Sequence, residues 1–168
     1  GANVADGNGD GLINVAGSPA SSFTGELQQF WHQLSAANLI GGNYIGTGAV
    51  LGTDFPENKL KKGGVVAFSR SGSSLNYYGV GVGDTGFTYG SGLTPSEAFG
   101  IDSKLDDGAP LTGIVRAAEH TTGTVTTPGT PTSSAPGVDT GCITNATPVE
   151  YNVSAEVNLC PLEIRISG

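Results

Sequence analysis

Methionine is absent from the 168 residues, tryptophan occurs once, and histidine and cysteine occur twice each. Charge is sparse too: seven basic and fifteen acidic residues make up 13% of the chain and leave a net −8. So few cations on an acidic surface repel phosphate backbones and anionic headgroups, so nucleic acid is not an expected partner. No apolar run approaches the ~20 residues that cross a bilayer, and no basic-plus-apolar secretion signal opens the sequence. A start at Gly1 without an initiator Met is the start expected of a processed or truncated chain. His32 and His120 stand beside no Ser or Cys nucleophile in a recognisable motif, and a structural histidine is the expected role for both. No constellation of titratable residues argues for catalysis, and the chain is expected not to be an enzyme.

Abundant instead are glycine, 28 residues, and small polar side chains. The length suits one domain with a proper core and is short for two, so residues 1–168 are read as a single domain. Cys142 and Cys160 lie 18 apart with no nearby Cys or His to complete a metal site. A disulfide is the better reading, and it points to an oxidising place: periplasm, cell surface or exterior. Closing a loop of that length stabilises a fold by about 3 kcal/mol in the chain-entropy account.

The one long amphipathic stretch is Phe23 to Gly42. Leu27, Phe30, Trp31 and Leu34 fall at i, i+3, i+4 and i+7, a stripe along one helical face. Ser22 or Thr24 can cap its start and Gly41-Gly42 can end it. Residues 43–63 read as an irregular crossing segment with a basic spot at Lys59, Lys61 and Lys62. Val65–Ser69 and Leu75–Val80 are β-branched and aromatic runs around a Ser/Gly turn, which predicts an antiparallel pair. Gly79, Gly81 and Gly83 leave one face of the second strand bare, open to close packing. Thr94-Pro95-Ser96-Glu97 is a capping box that predicts a helix to about Leu105, ended by Asp106-Asp107-Gly108. Leu111–Ala117 is a short strand candidate. Residues 121–137 are a low-complexity Thr/Pro/Gly/Ser loop that cannot bury enough apolar surface to offset its ordering entropy. Val149–Val157 and Leu159–Ile166 alternate like a half-buried edge hairpin, with the disulfide tying its entrance to its last strand. The fold class is therefore α+β, an amphipathic helix packed on an antiparallel sheet, with long irregular loops.

The sharpest local motif is Asp6-x-Asn8-x-Asp10-Gly11-x-Ile13, the first two-thirds of an EF-hand-type calcium loop. Side-chain oxygens at alternate positions converge on a cation, Gly11 allows the bend, the Leu12 carbonyl adds an oxygen, and Ile13 anchors the loop in the core. The twelfth position is Gly17, so the bidentate carboxylate must come from elsewhere, for which Glu26 is the candidate. A Gly/Asn/Asp turn that bonds its own backbone explains the same residues without metal. Asp102, Asp106 and Asp107 are acid–base candidates whose place at a helix end beside a glycine fits turn and cap roles. Asn145-Ala-Thr147 and Asn152-Val-Ser154 match the N-glycosylation sequon.

In their order, the Gly/Asn/Asp loop ADGNGDGLI, the helix ELQQFWHQLSAANLIGGNYIG, the block TPSEAFGIDSKLDDGAPLTGIVRA and two late cysteines before the strand Cys160-Pro-Leu-Glu-Ile-Arg-Ile resemble the soluble part of bacterial type IV pilin-like and type II secretion pseudopilin-like proteins. The resemblance implies a long N-terminal helix on an antiparallel sheet, a disulfide-closed C-terminal region, and a structural role as a filament subunit. It implies partners that are other pilin or pseudopilin subunits, or a hydrophobic N-terminal helix from the missing segment or a separate chain. It also implies a precursor anchored in the inner membrane through that helix, and a monomer for the isolated domain. The other reading is a secreted, calcium-stabilised adhesin or binding module using the Thr-rich loop and Tyr77, Tyr78 and Tyr89.

Overall fold

A computed structural model describes residues 7–14, 23–69, 74–82, 92–117, 141–144, 147–156 and 160–166. Its elements run α1 (Glu26–Ala36), β1 (Gly64–Ser69), β2 (Asn76–Val82), α2 (Pro95–Leu105), β3 (Val115–Ala117) and β4 (Leu162–Ile166). The α+β class and the antiparallel sheet expected from the sequence are present, and the strands lie in the order β1-β2-β4-β3. The loop at 121–137, His120, Tyr89 and Gly83 lie outside the described residues.

Helix α1 is shorter than its periodic stretch. It starts after Gly25, whose φ is 60°, with no side-chain cap, and it stops at Ala37 rather than at Gly41-Gly42. The stop comes from Asn38, which enters the left-handed region at φ 54°, a conformation asparagine tolerates better than most residues. The Ser35 hydroxyl secures the reversal: it donates to the His32 carbonyl at 3.0 Å and accepts from the Tyr44 amide at 3.3 Å. Leu39 is consequently 71% exposed instead of extending the apolar stripe. Leu27 is fully buried, in a cluster with Phe23, Phe55, Val66 and Phe68, while Trp31 packs half-buried at its margin. Trp31 stacks on Tyr78 with ring centroids 6.2 Å apart, and Phe30 meets both rings edge-on.

Pairing of β1 with β2 sets Val66 opposite Gly79 and Phe68 opposite Tyr77, and β2 sets Tyr78 opposite Ile164 and Val80 opposite Leu162 on β4. Because side chains alternate, Val66, Phe68, Tyr77, Glu163 and Arg116 share one face, and Tyr78, Val80, Leu162, Ile164 and Val115 share the other. The second face joins the larger core, with Leu93, Ala98, Cys142, Ile143, Tyr151 and Cys160. Gly81, at φ 89°, lies beside the register shift near the end of the β1–β2 pair, and there the Pro161 backbone comes close: a Cβ on Gly81 would sit 3.5 Å from Pro161 Cα.

The C-terminal strand departs from expectation. β4 is an interior strand between β2 and β3, not the edge of a hairpin, and residues 149–156 form no strand. Tyr151 instead makes a single antiparallel bridge to Ile143. The disulfide between Cys142 and Cys160 is formed, both cysteines are buried, and the Cys160 amide donates to the Leu93 carbonyl at 3.0 Å. That bond brings the 141–144 segment and the entry to β4 into one core.

Outward amides on both outer strands are bonded by the chain itself. On β1 the Val65 amide donates to the Pro56 carbonyl and the Ser69 amide to the Ile13 carbonyl. On β3 the Val115 amide donates to the Asp106 carboxylate and the Ala117 amide to the Pro110 carbonyl. Covering an edge in this way removes a template for pairing with another strand.

Candidate functional site

Two polar clusters contain the residues singled out by sequence. The first is the N-terminal loop, where Gly9 and Gly11 sit at φ 80° and 79° and let the chain coil tightly. Asn8 Oδ1 accepts from the Asp10 amide at 2.9 Å, and Asp10 Oδ1 accepts from the Leu12 amide at 2.7 Å. Asp10 Oδ2 accepts from both Asn8 Nδ2 and Asn14 Nδ2 at 3.0 Å. Glu26, the first residue of α1, reaches across: Oε1 accepts from the Asn8 amide at 2.7 Å and Oε2 from the Asn14 amide at 3.1 Å. Its carboxylate also faces the positive end of the helix dipole. Asn76 on β2 holds the far side, accepting from the Ile13 amide and donating to the Gly11 carbonyl. Ile13 packs against the first core cluster.

The structure thus brings together Asn8, Asp10 and the outside carboxylate Glu26, and places the Leu12 backbone beside them. Asp6 and Gly17 lie outside the described residues. Asn14, the ninth position of the loop, joins the cluster and was missed by the motif reading; its signal was the continued alternation of oxygen-bearing side chains. Bonds from the Leu12 amide first, then from Asn14 and Asn8, hold the Asp10 carboxyl below the usual carboxylate range. An all-oxygen donor set of two carboxylates and two amides suits a hard cation such as calcium. The same oxygens satisfy backbone and amide donors of the loop, which is what the metal-free turn requires.

The second cluster lies where α2 ends. The α2 start is the capping box read from sequence: Thr94 Oγ1 accepts from the Glu97 amide, and the Glu97 carboxylate accepts from the Thr94 amide. Glu97 also takes both oxygens to Lys62 Nζ at 2.8 Å, which with the capping bond holds its carboxyl below the usual range. At the other end, ligand oxygens of Asp102, Asp106 and Asp107 lie within 4.8 Å of one another. Asp102 is fully buried; it accepts from the Tyr151 hydroxyl at 2.8 Å and the Gly108 amide at 3.0 Å. Asp106 Oδ2 accepts from the amides of Ile114 and Val115, which fixes the start of β3. Asp107 accepts from the Ala109 amide at 2.9 Å and the Thr112 hydroxyl at 2.6 Å. Gly113, at φ 70°, gives Asp106 room: a Cβ there would lie 1.7 Å from Oδ2.

Burial pushes the Asp102 carboxyl up; the Tyr151 and Gly108 bonds oppose it, and the charges of Asp107 and Asp106 add to it. Burial first, then the Asp102 bond and charge, raise the Tyr151 hydroxyl well above its ordinary value. Asp107, bonded chiefly by Thr112 and then by Ala109, is lowered. Five of the six carboxylate oxygens in this triad accept from the chain's own donors. The arrangement is a junction that joins α2, β3 and the Tyr151 segment.

The remaining candidates are similarly engaged. His32 Nδ1 lies 2.6 Å from the Tyr44 carbonyl, where a protonated Nδ1 donates. Tyr77 stacks on Phe68 and Tyr78 on Trp31, so both rings serve packing. Sequence reading also passed over Asp54, a buried carboxylate that accepts from the amides of Thr47, Gly48 and Val50 and shapes the loop after α1. Lone aspartates in glycine-rich loops carry no spacing signal for such a cradle. Searches against protein-family models, curated proteins and solved structures find no match for this chain.

Proposed function

We propose that the chain is the globular part of a structural subunit in an extracellular or periplasmic filament of the type IV pilus or type II secretion pseudopilus kind. The observation that carries the reading is the use of the Asp102–Gly113 stretch, which lies in one of the several blocks that carry the resemblance. Its three aspartates accept hydrogen bonds that lock a helix end to a strand and to Tyr151. A catalytic group is ordinarily poised toward a substrate, with its ionisation tuned for that task. These carboxylates instead close a joint, which suits a subunit whose task is to hold shape.

The covered sheet edges support the same reading from another side. With the outward amides of Val65, Ser69, Val115 and Ala117 taken by the chain's own acceptors, strand addition at these edges is disfavoured. Subunit contact then falls to helices and loops, including a hydrophobic N-terminal helix supplied by a longer precursor or by another chain. The precursor is anchored in the inner membrane by that helix, and the buried disulfide fits the oxidising side of the membrane. Deleting the gene in the producing cell is expected to remove surface filaments or to stop secretion. Filaments and secretion that persist unchanged overturn the proposal.

A second reading, a calcium-stabilised secreted adhesin or binding module, is favoured by one observation: Glu26 brings to the loop the outside carboxylate that the incomplete motif lacks. Asp10, Glu26 and the oxygens of Asn8 and Asn14 would hold the ion, with Asp6 and the Leu12 carbonyl. When bound, the ion would link the loop to the start of α1. Screening the purified domain against glycans and surfaces separates this reading from a purely structural one.

A further inference from the structure

The turn after Tyr151 has the geometry of a modification site. Ala155 N donates to the Asn152 carbonyl at 2.9 Å, which closes a tight turn over Asn152-Val153-Ser154. Val153, at 53%, and Ser154 are exposed at its crest, and Asn152 is half-buried at its shoulder. Within the turn the Ser154 hydroxyl donates to Asn152 Oδ1 at 3.0 Å. Asn152 Nδ2 donates to no other described residue and is not sealed in the core. The turn has firm footings on its N-terminal side. Asn152 N donates to the Cys142 carbonyl at 2.9 Å, beside the disulfide, and the preceding Tyr151 is buried on Asp102.

We propose that Asn152 is an acceptor for N-linked glycosylation, with a polyprenyl-diphosphate-linked oligosaccharide as the donor. An amide nitrogen is a weak nucleophile because its lone pair is shared with the carbonyl. A hydroxyl two residues on, bonded to that carbonyl oxygen, orients the amide and leaves Nδ2 uncommitted among the described residues. In the transfer, Nδ2 attacks the anomeric carbon. The new C–N bond forms as the bond from that carbon to the phosphate oxygen breaks. The polyprenyl diphosphate leaves with the electron pair, and Nδ2 gives up one proton to a carboxylate of the transferase. Val153 at the middle position keeps the turn, where proline would remove an amide and restrict the backbone. Glu150, exposed two residues before the acceptor, adds a negative charge that a basic docking group on the transferase can read. Ser154 is a positioning residue in this scheme. The site does not depend on the filament reading, since any exported form of the chain presents the same turn.

The test is transfer to the purified, folded, disulfide-intact protein by a single-subunit bacterial oligosaccharyltransferase with its lipid-linked oligosaccharide. A peptide spanning Glu150–Ser154 serves as the positive control, and the readout is intact mass followed by peptide mapping. The expected result is one added glycan on Asn152, lost in Asn152→Gln and in Ser154→Ala and kept in Ser154→Thr. Circular dichroism and melting of each variant verify that loss of transfer is not loss of fold. A modified peptide with an unmodified folded protein overturns the proposal, as does a glycan found on Asn145 alone or one that survives Ser154→Ala.

Discussion

Replacing Asp102 by alanine removes the acceptor that two donors share inside the core. The buried Tyr151 hydroxyl at 2.8 Å and the part-buried Gly108 amide at 3.0 Å both lose their partner, and the hydroxyl stays shut off from water. The buried hydroxyl left unpaired costs about 1–3 kcal/mol, the part-buried amide loses a bond to a charged acceptor of about 1.5–3 kcal/mol, and relief of the buried carboxylate offsets part of the sum, so the expected destabilisation is about 2–4 kcal/mol. For a chain of this length each kcal/mol lowers the melting temperature by roughly 2–4 °C, so a fall of about 5–15 °C is expected. Tyr151→Phe keeps the ring against Phe99 and removes only the hydroxyl, so it isolates one of the two bonds. Urea unfolding of the two single variants and the double variant gives the coupling between them, expected at about 1–3 kcal/mol. The denaturant slope is expected to stay constant, since the variants change stability and not the surface exposed on unfolding. If Asp102→Ala is neutral, or if the two substitutions add without coupling, the junction is not what holds α2 to the Tyr151 segment.

Gly113→Ala places a methyl group against the Asp106 carboxylate at a left-handed position, and a loss of about 1–3 kcal/mol is expected in urea unfolding; an unchanged midpoint refutes the contact. If the N-terminal loop binds calcium, free Ca²⁺ at a hundred times its dissociation constant adds about 2.7 kcal/mol. Melting should then rise with Ca²⁺, fall with chelator, and stop responding in Asp10→Ala; no response in the natural protein leaves the metal-free turn. Asp102 has a raised carboxyl in the folded state, so folding takes up a proton between the ordinary aspartate value and the raised one. Its contribution therefore improves as pH falls through that window and is lost as pH rises, opposite in sign to the lowered Asp10, Glu97 and Asp107, whose contributions disappear on acidification. Stability of Asp102→Asn relative to the natural protein should accordingly decline on acidification through that window, and a difference that is flat or reversed with pH contradicts the assignment.

Features fixed by near neighbours were legible in the sequence. The α2 start is the best case, because Thr94, Pro95 and Glu97 make their own cap within one turn. The β1–β2 pair was legible for a related reason: alternation and a short Ser/Gly connection specify both strands. The end of α1 was not, because it is set by Asn38 and by a Ser35 bond to Tyr44 nine residues on, while the apolar pattern continues past it to Leu39. The place of β4 was hidden by its polar residues. Glu163 and Arg165 suggest a solvent-facing edge, yet Glu163 is buried opposite Gly79 on one side and Arg116 on the other. In the first cluster, the motif supplied Asn8 and Asp10 and flagged Glu26, but only folding shows that α1 begins where its carboxylate meets the loop. In the second, three aspartates in a turn were visible, while Tyr151, 49 residues from Asp102, was not.

The proposed role is that of a building block in a pilus or pseudopilus filament. Its most direct test is to isolate filaments from the producing cells, surface fibres by shearing and periplasmic ones from the opened envelope, purify them by density, and identify the repeating subunit by mass spectrometry with immunogold labelling along the fibre. The account predicts peptides of this chain in the filament fraction, disulfide-linked through Cys142 and Cys160, with label spaced along the fibre length. Recovery of the chain only as a free monomer, with filaments intact and unlabelled, would contradict it.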